Sequence, residues 1–131
     1  MNLTANSVAR EVVDAAYRVH VGLGPGLLES VYEIVLAREL QKRGLDVVRQ
    51  RPIPIIYDGL QFEVGFRADL VVQDLVIVEI KSVEMLAPFR KKQLLTYLRL
   101  ANKELGLLIN FGAVLIKDGI TRLVNGLKEN Q

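Results

Sequence analysis

A chain of 131 residues, half of them hydrophobic and 24% charged, is long enough for one domain with one core and too apolar for disorder. Seventeen Lys and Arg against fifteen Asp and Glu leave a net charge of +2, which excludes nucleic-acid binding by bulk charge alone and leaves only a local basic patch open. Cysteine is absent, which excludes a disulfide scaffold, a thiolate metal site and thiol catalysis.

The first six residues lack a basic stretch followed by an apolar one, so no secretory signal is read there and a cytoplasmic location is expected. The longest apolar runs, 75–80 and 105–109, fall far short of the roughly 18 residues that cross a bilayer, so no membrane association is expected. Ser7 or Asn6 caps a first helix carrying Val8, Val12, Ala15, Ala16 and Val19 at helical spacing and ending near Gly22. Gly22-Leu23-Gly24-Pro25-Gly26 breaks the chain before a second helix over 27–43, with Leu28, Val31, Val35, Leu36 and Leu40 on its buried side and Gly44 just past its end. Residues 47–57, interrupted by Pro52 and Pro54, suit an edge strand. Asp58-Gly59 turns the chain into a second strand over 60–72, with Gly65 as a bulge candidate, and Gln73-Asp74 turns it again into a strand over 75–81. A helix follows from Ala87-Pro88, then a buried strand over 105–111 and a third hairpin turn at Lys117-Asp118-Gly119. The strand–helix–strand unit makes the strands at 75–81 and 105–111 parallel and near neighbours, while the tight turn makes 60–72 antiparallel to 75–81. The fold class is therefore α/β, a mixed sheet flanked by helices, in one domain over 1–131.

Glu79 and Lys81 lie two apart on a strand and share a face. Asp69, on the antiparallel neighbour, falls opposite Glu79 or one residue off, with Cβ atoms roughly 5 Å apart, which lets two carboxylates share a divalent cation. Val76, Ile77 and Val78 mark a central strand, where an acid and a base are costly unless paired or metal-bound. Hard oxygen donors suit Mg²⁺ or Mn²⁺, and Lys81 is then placed to orient water or neutralise charge at phosphorus. The alternative on these residues alone is an ordinary surface ion pair between Glu79 and Lys81.

Asp69 with Glu79-Ile80-Lys81 resembles the PD-(D/E)XK nuclease signature. Gly26-Leu27-Leu28-Glu29-Ser30-Val31-Tyr32 resembles the GxxExxY motif of a family of small proteins assigned to that superfamily, and Gln93 with Tyr97 resembles the QxxxY motif of some members. The resemblance runs from the first helix to Gly112 and implies a restriction-endonuclease-like core and a metal-dependent nuclease. It implies that Asp69, Glu79, the Ile80 carbonyl and Glu29 bind the metal, that Lys81 assists the attacking water, and that Gln93 and Tyr97 face the same site. Ala68 stands where the signature has proline, a departure from the motif.

Other signals are weaker. The glycine-rich loop follows a helix and has no trailing Lys, so it fits neither a dinucleotide nor a Walker site and serves to place Glu29. His20, the sole histidine, reads as an interface or capping residue. Tyr32 either hydrogen-bonds Glu29 or packs. Arg90, Lys91 and Lys92 either contact phosphates or form a solvated face. Tyr17, Tyr57, Phe62 and Phe66 read as core or sheet residues. The expected partner is nucleic acid, with a homodimer or a protein partner also open. The rival reading is a catalytically inactive binding or assembly module that retains the nuclease fold.

Overall fold

The computed structural model describes residues 2–127. Helix α1 spans Ala5–Leu23 and α2 spans Glu29–Lys42. Strands β1 (Val47–Tyr57), β2 (Leu60–Val72) and β3 (Val76–Lys81) follow, then α3 (Phe89–Ala101), β4 (Leu105–Asn110), a single helical turn α4 (Ile116–Gly119) and β5 (Ile120–Val124). The sheet runs in sequence order, β1-β2-β3-β4-β5, antiparallel throughout except for the β3–β4 pair. The mixed sheet and its parallel pair agree with the sequence reading, as does β1 at an edge. No helix among the described residues is long and apolar enough to cross a membrane.

Two turns carry the antiparallel half of the sheet. Asp58 and Gly59 have φ of 50° and 76°, and Gln73 and Asp74 have 55° and 53°, the left-handed pairs that match strand twist in tight hairpins. The third expected hairpin turn is corrected: residues 116–119 form α4. Gly119 is required there by close approach, since a Cβ would stand 2.3 Å from the carbonyl oxygen of Asn110. Gly65 is the predicted bulge. Ile53 pairs with Phe66 but Ile55 with Phe62, so β2 carries two extra residues, and the Ile55 side chain occupies the space a Cβ on Gly65 would need.

Both helical starts move. Thr4, not Ser7 or Asn6, is the N-cap of α1. Its Oγ1 accepts from the Ser7 amide at 3.1 Å and the Ser7 hydroxyl accepts from the Thr4 amide at 2.9 Å, so Ser7 is the reciprocal partner three residues on. The helix then runs past Gly22 to Leu23, and His20 hydrogen-bonds from Nε2 to the carbonyl of Ala113 at 2.9 Å, tying α1 to the loop after β4. Helix α2 buries Tyr32, Glu33, Leu36, Ala37 and Leu40. Leu28 is 74% exposed and Val31 is also on the outside, contrary to the predicted stripe. The stripe is set by Tyr32, whose ring stacks on Phe111 at 4.5 Å between centroids and whose hydroxyl donates to the Gly24 carbonyl at 2.5 Å and accepts from the Leu27 amide at 3.1 Å. Tyr32 thus packs and hydrogen-bonds, but to backbone and not to Glu29.

The helices lie on opposite faces. Val8, Val12, Leu36, Leu70, Val78 and Ile80 belong to the core under α1 and α2, and Ile53, Phe66, Val71, Ile77, Leu94 and Leu98 to the core under α3. Tyr17, Tyr57 and Phe62 are exposed rather than core, and only Phe66 of the four aromatics is buried.

Candidate active site

The β2–β3 ladder runs from Val72↔Val76 to Leu70↔Val78, and beyond it side chains take over from backbone. The Asp69 amide donates to Glu79 Oε2 at 3.0 Å, and the Ile80 amide donates to Asp69 Oδ2 at 2.8 Å. Each carboxyl therefore closes the open end of the other strand, and the two groups meet. Facing alternation breaks at this point: Phe66 and Ala68 join the α3-side core, whereas Leu70 and Val72 join the other. Opposite Asp69, between the pairs Arg49↔Leu70 and Arg51↔Ala68, stands Gln50, with a left-handed φ of 52°.

Glu79 is buried, and its carboxyl is pushed up to about 8, first by loss of hydration and then by the neighbouring Asp69, with Lys81 pulling the other way. A buried carboxyl perturbed by burial and by a second carboxylate is a candidate functional group. Tyr97 of α3 stacks on Phe66 with centroids 3.8 Å apart, and its phenol is pushed up by burial and then by Glu79. Gln93 accepts from Arg90 at 3.3 Å and hydrogen-bonds Tyr97. Arg90 also lies over the Phe89 ring at 5.6 Å, while Lys91 and Lys92 are exposed.

On the α2 side, a cavity of about 410 Å³ is lined by Glu29, Glu33, Arg49, Gln50, Asp69 and Ile80. Glu29 is an exposed member of this lining, and Glu33, one helical turn on, is buried. Arg49 grips Glu33 Oε2 with Nε at 3.1 Å and Nη2 at 3.0 Å. The Gln50 amide donates to Glu33 Oε1 at 2.6 Å and to Asp69 Oδ1 at 3.3 Å, bridging the helix acid to the sheet acid. Sequence reasoning missed Glu33, Arg49 and Gln50. Glu33 could have been found by its position one turn from Glu29, but nothing in the sequence marks Gln50 as left-handed. Among the described residues no three Asp, Glu or His groups gather tightly enough to form a metal cluster. A separate cavity of about 700 Å³ between α1 and β5 is lined by Asn6 and Tyr17 but by none of the candidate site residues.

A mixed sheet with an acid pair on its second and third strands, a Lys two residues past the second acid and a crossover helix behind them is the restriction-endonuclease-like architecture. Residues 6–123 match the family model described as the PD-(D/E)XK nuclease superfamily, and the chain belongs to that superfamily. No curated protein and no solved structure matches the chain.

Proposed function

We propose that this domain is an active Mg²⁺- or Mn²⁺-dependent nuclease of the cytoplasm that hydrolyses phosphodiester bonds in nucleic acid. The observation that carries the reading is the meeting of the half-buried Asp69 carboxyl with the buried Glu79 carboxyl, with Lys81 two residues on. The donor set fits a hard divalent ion: two adjacent carboxyls each accept a backbone N–H with one oxygen, the other Asp69 oxygen takes only a long 3.3 Å contact from Gln50, and the Ile80 carbonyl lies between the acid and the Lys. Asp69, Glu79 and Ile80 would hold the ion, with Glu33 or Glu29 supplying the α2 acid. Such an ion supplies Lewis-acid polarisation of a phosphoryl oxygen and an acidified water.

The chain's own groups do the rest. Lys81 offsets charge that develops on the phosphoryl oxygens as the water oxygen bonds to phosphorus and the bond to the departing sugar oxygen breaks, that oxygen then taking up a proton. Tyr97 and Gln93 close the α3 side of the acid pair, and Arg90, Lys91 and Lys92 at the start of α3 meet neighbouring phosphates. The test is cleavage of labelled single- and double-stranded DNA and RNA in Mn²⁺, with EDTA and Lys81→Met as controls and Mn²⁺ affinity measured by calorimetry. Lys81→Met is expected to keep Mn²⁺ affinity and lose about 10²- to 10⁴-fold in rate. Undiminished cleavage by Lys81→Met overturns the role of Lys81, and no cleavage of any substrate by Mn²⁺-loaded wild type favours the inactive module.

A further inference from the structure

Strand β4 is buried along its whole length, yet it ends on a polar residue. Asn110 is 4% exposed and follows Leu107, Leu108 and Ile109, so a carboxamide there is costly unless its hydrogen bonds are made. They are made to backbone beyond the sheet. Asn110 Oδ1 accepts from the Val83 amide and from the Gly112 amide, each at 3.0 Å, and Asn110 Nδ2 donates to the Val83 carbonyl at 2.9 Å. The carboxamide thus bonds both backbone groups of Val83, as a neighbouring strand residue would, just past the last ladder pair, Lys81 and Asn110. The Phe111 amide donates to the Lys81 carbonyl at 2.8 Å, so the chain is tied at Lys81 and again two residues on. The fit is close: a Cβ on Gly112 would stand 2.3 Å from the Val83 carbonyl oxygen. The Ser82 hydroxyl, donating to the Leu27 carbonyl, ties the same exit to the loop ahead of α2.

We infer that Asn110 is a positioning residue for Lys81, holding the exit of β3 so that the ammonium stays on the Glu79 face of the strand. The inference rests on the reading of Lys81 as the group that offsets charge at phosphorus, and it adds a residue that touches neither substrate nor ion. Lys81 is the last residue of β3, and no helix or strand follows until Phe89, so regular structure fixes its backbone on one side only. Asn110 supplies the other side. A Lys ammonium rides on a flexible four-carbon stem, so where it stands depends on how firmly the backbone beneath it is held. A displacement of about 1 Å is enough to cost about 10²-fold in rate. None of the three carboxamide bonds belongs to the β3–β4 ladder, which runs from Val76↔Leu105 to Lys81↔Asn110, so the sheet keeps its own pairing without them.

The test uses Asn110→Asp, which keeps both acceptor bonds and sets a carboxylate oxygen against the Val83 carbonyl in place of the donor. Its first arm needs no activity. In the metal-free full chain, NMR side-chain relaxation is expected to show a freer Lys81 in the variant than in wild type, with Lys103, held by Asp74, unchanged as the internal control. Equal order at Lys81 in the two proteins overturns the inference. Asn110→Ala, which removes all three bonds without burying a charge, gives the same comparison should Asn110→Asp not fold. The second arm is cleavage in Mn²⁺. The variant should lose about 10²-fold in kcat and keep KM and Mn²⁺ affinity, because the ammonium acts only as charge develops. In a Lys81→Met background it should cost nothing more, since no ammonium is left to position. Losses that simply add, or a loss of Mn²⁺ affinity, overturn the inference and assign Asn110 to the stability of the sheet. A wild type that cleaves nothing overturns the nuclease reading instead, and the relaxation comparison then decides the placement of Lys81 by itself.

Discussion

Glu79 holds its proton to about pH 8 in the folded chain, whereas its ordinary value is 4.5. Between those values the native state binds more protons than the unfolded state, so this group stabilises the metal-free fold at low pH and its contribution is lost as pH rises. The slope approaches about 1.4 kcal/mol per pH unit at its steepest. Glu79→Gln, uncharged at every pH and similar in shape, should flatten the fall of melting temperature between pH 5 and 8; parallel curves for the two proteins would assign that titration to another group. Because burial outranks Asp69 among the causes, Asp69→Asn should bring the Glu79 titration only part of the way down, as followed by carboxyl NMR. Gln50 offers a second residue-scale test. A non-glycine residue held left-handed costs about 1–2 kcal/mol, and the return is an amide shared by Glu33 and Asp69. Gln50→Ala should lose the bridge and keep the strain, while Gln50→Gly loses the bridge and relieves it. Urea unfolding is expected to rank Gly above Ala by about 1 kcal/mol, and the reverse order would mean that the backbone there is unstrained. The meeting of Asp69 with Glu79 was legible in the sequence because a tight turn sets the register of β2 against β3, although the alternation of faces breaks at Asp69 itself. Gln50 was not, because its role depends on a backbone conformation that its side chain does not favour.

At the scale of elements, helix α2 shows where periodicity ran short. Leu28 and Val31 fit an apolar stripe as well as Leu36 and Leu40 do, and spacing alone cannot tell which face turns inward. Tyr32 decides it, through its stack on Phe111 and its two hydrogen bonds to the loop that precedes the helix. Tyr32→Phe keeps the stack and strands the Leu27 amide and the Gly24 carbonyl, at a cost of about 1–3 kcal/mol. The loss should be local: hydrogen exchange at the Leu27 amide is expected to quicken more than at β3 or β4 amides, which report the core. Uniform acceleration would mean that Tyr32 serves the core rather than the start of α2. The two hairpins before β3 were readable because Asp-Gly and Gln-Asp sit where left-handed turns are needed. Lys117-Asp118-Gly119 carries the same residue types, yet the glycine is there for close approach to Asn110 and the turn is helical.

For the whole molecule, topology followed from turns and one crossover, which left few ways to order five strands. What that order accomplishes is to bring an acid from β2 against an acid from β3 at one end of the sheet, with the α2 acids lining a cavity beside Asp69. In the metal-free chain this gathering is held against the sheet by the Glu79 proton and the Gln50 amide, so a cation that binds only the folded state should stabilise the entire fold. At a hundredfold excess of Mn²⁺ over its dissociation constant the gain is about 2.7 kcal/mol. For a domain of this size that raises the melting temperature by about 8–12 °C. The rise should be larger at pH 8 than at pH 5, because a cation must displace the proton that Glu79 keeps at lower pH. Asp69→Asn retains an oxygen that can accept from the Ile80 amide while removing a charge from the pair, so it should fold but lose most of the Mn²⁺-dependent rise. Scanning calorimetry of both proteins at the two pH values checks all of this at once. Equal rises in wild type and Asp69→Asn would place the ion away from the acid pair, and a rise independent of pH would separate it from Glu79.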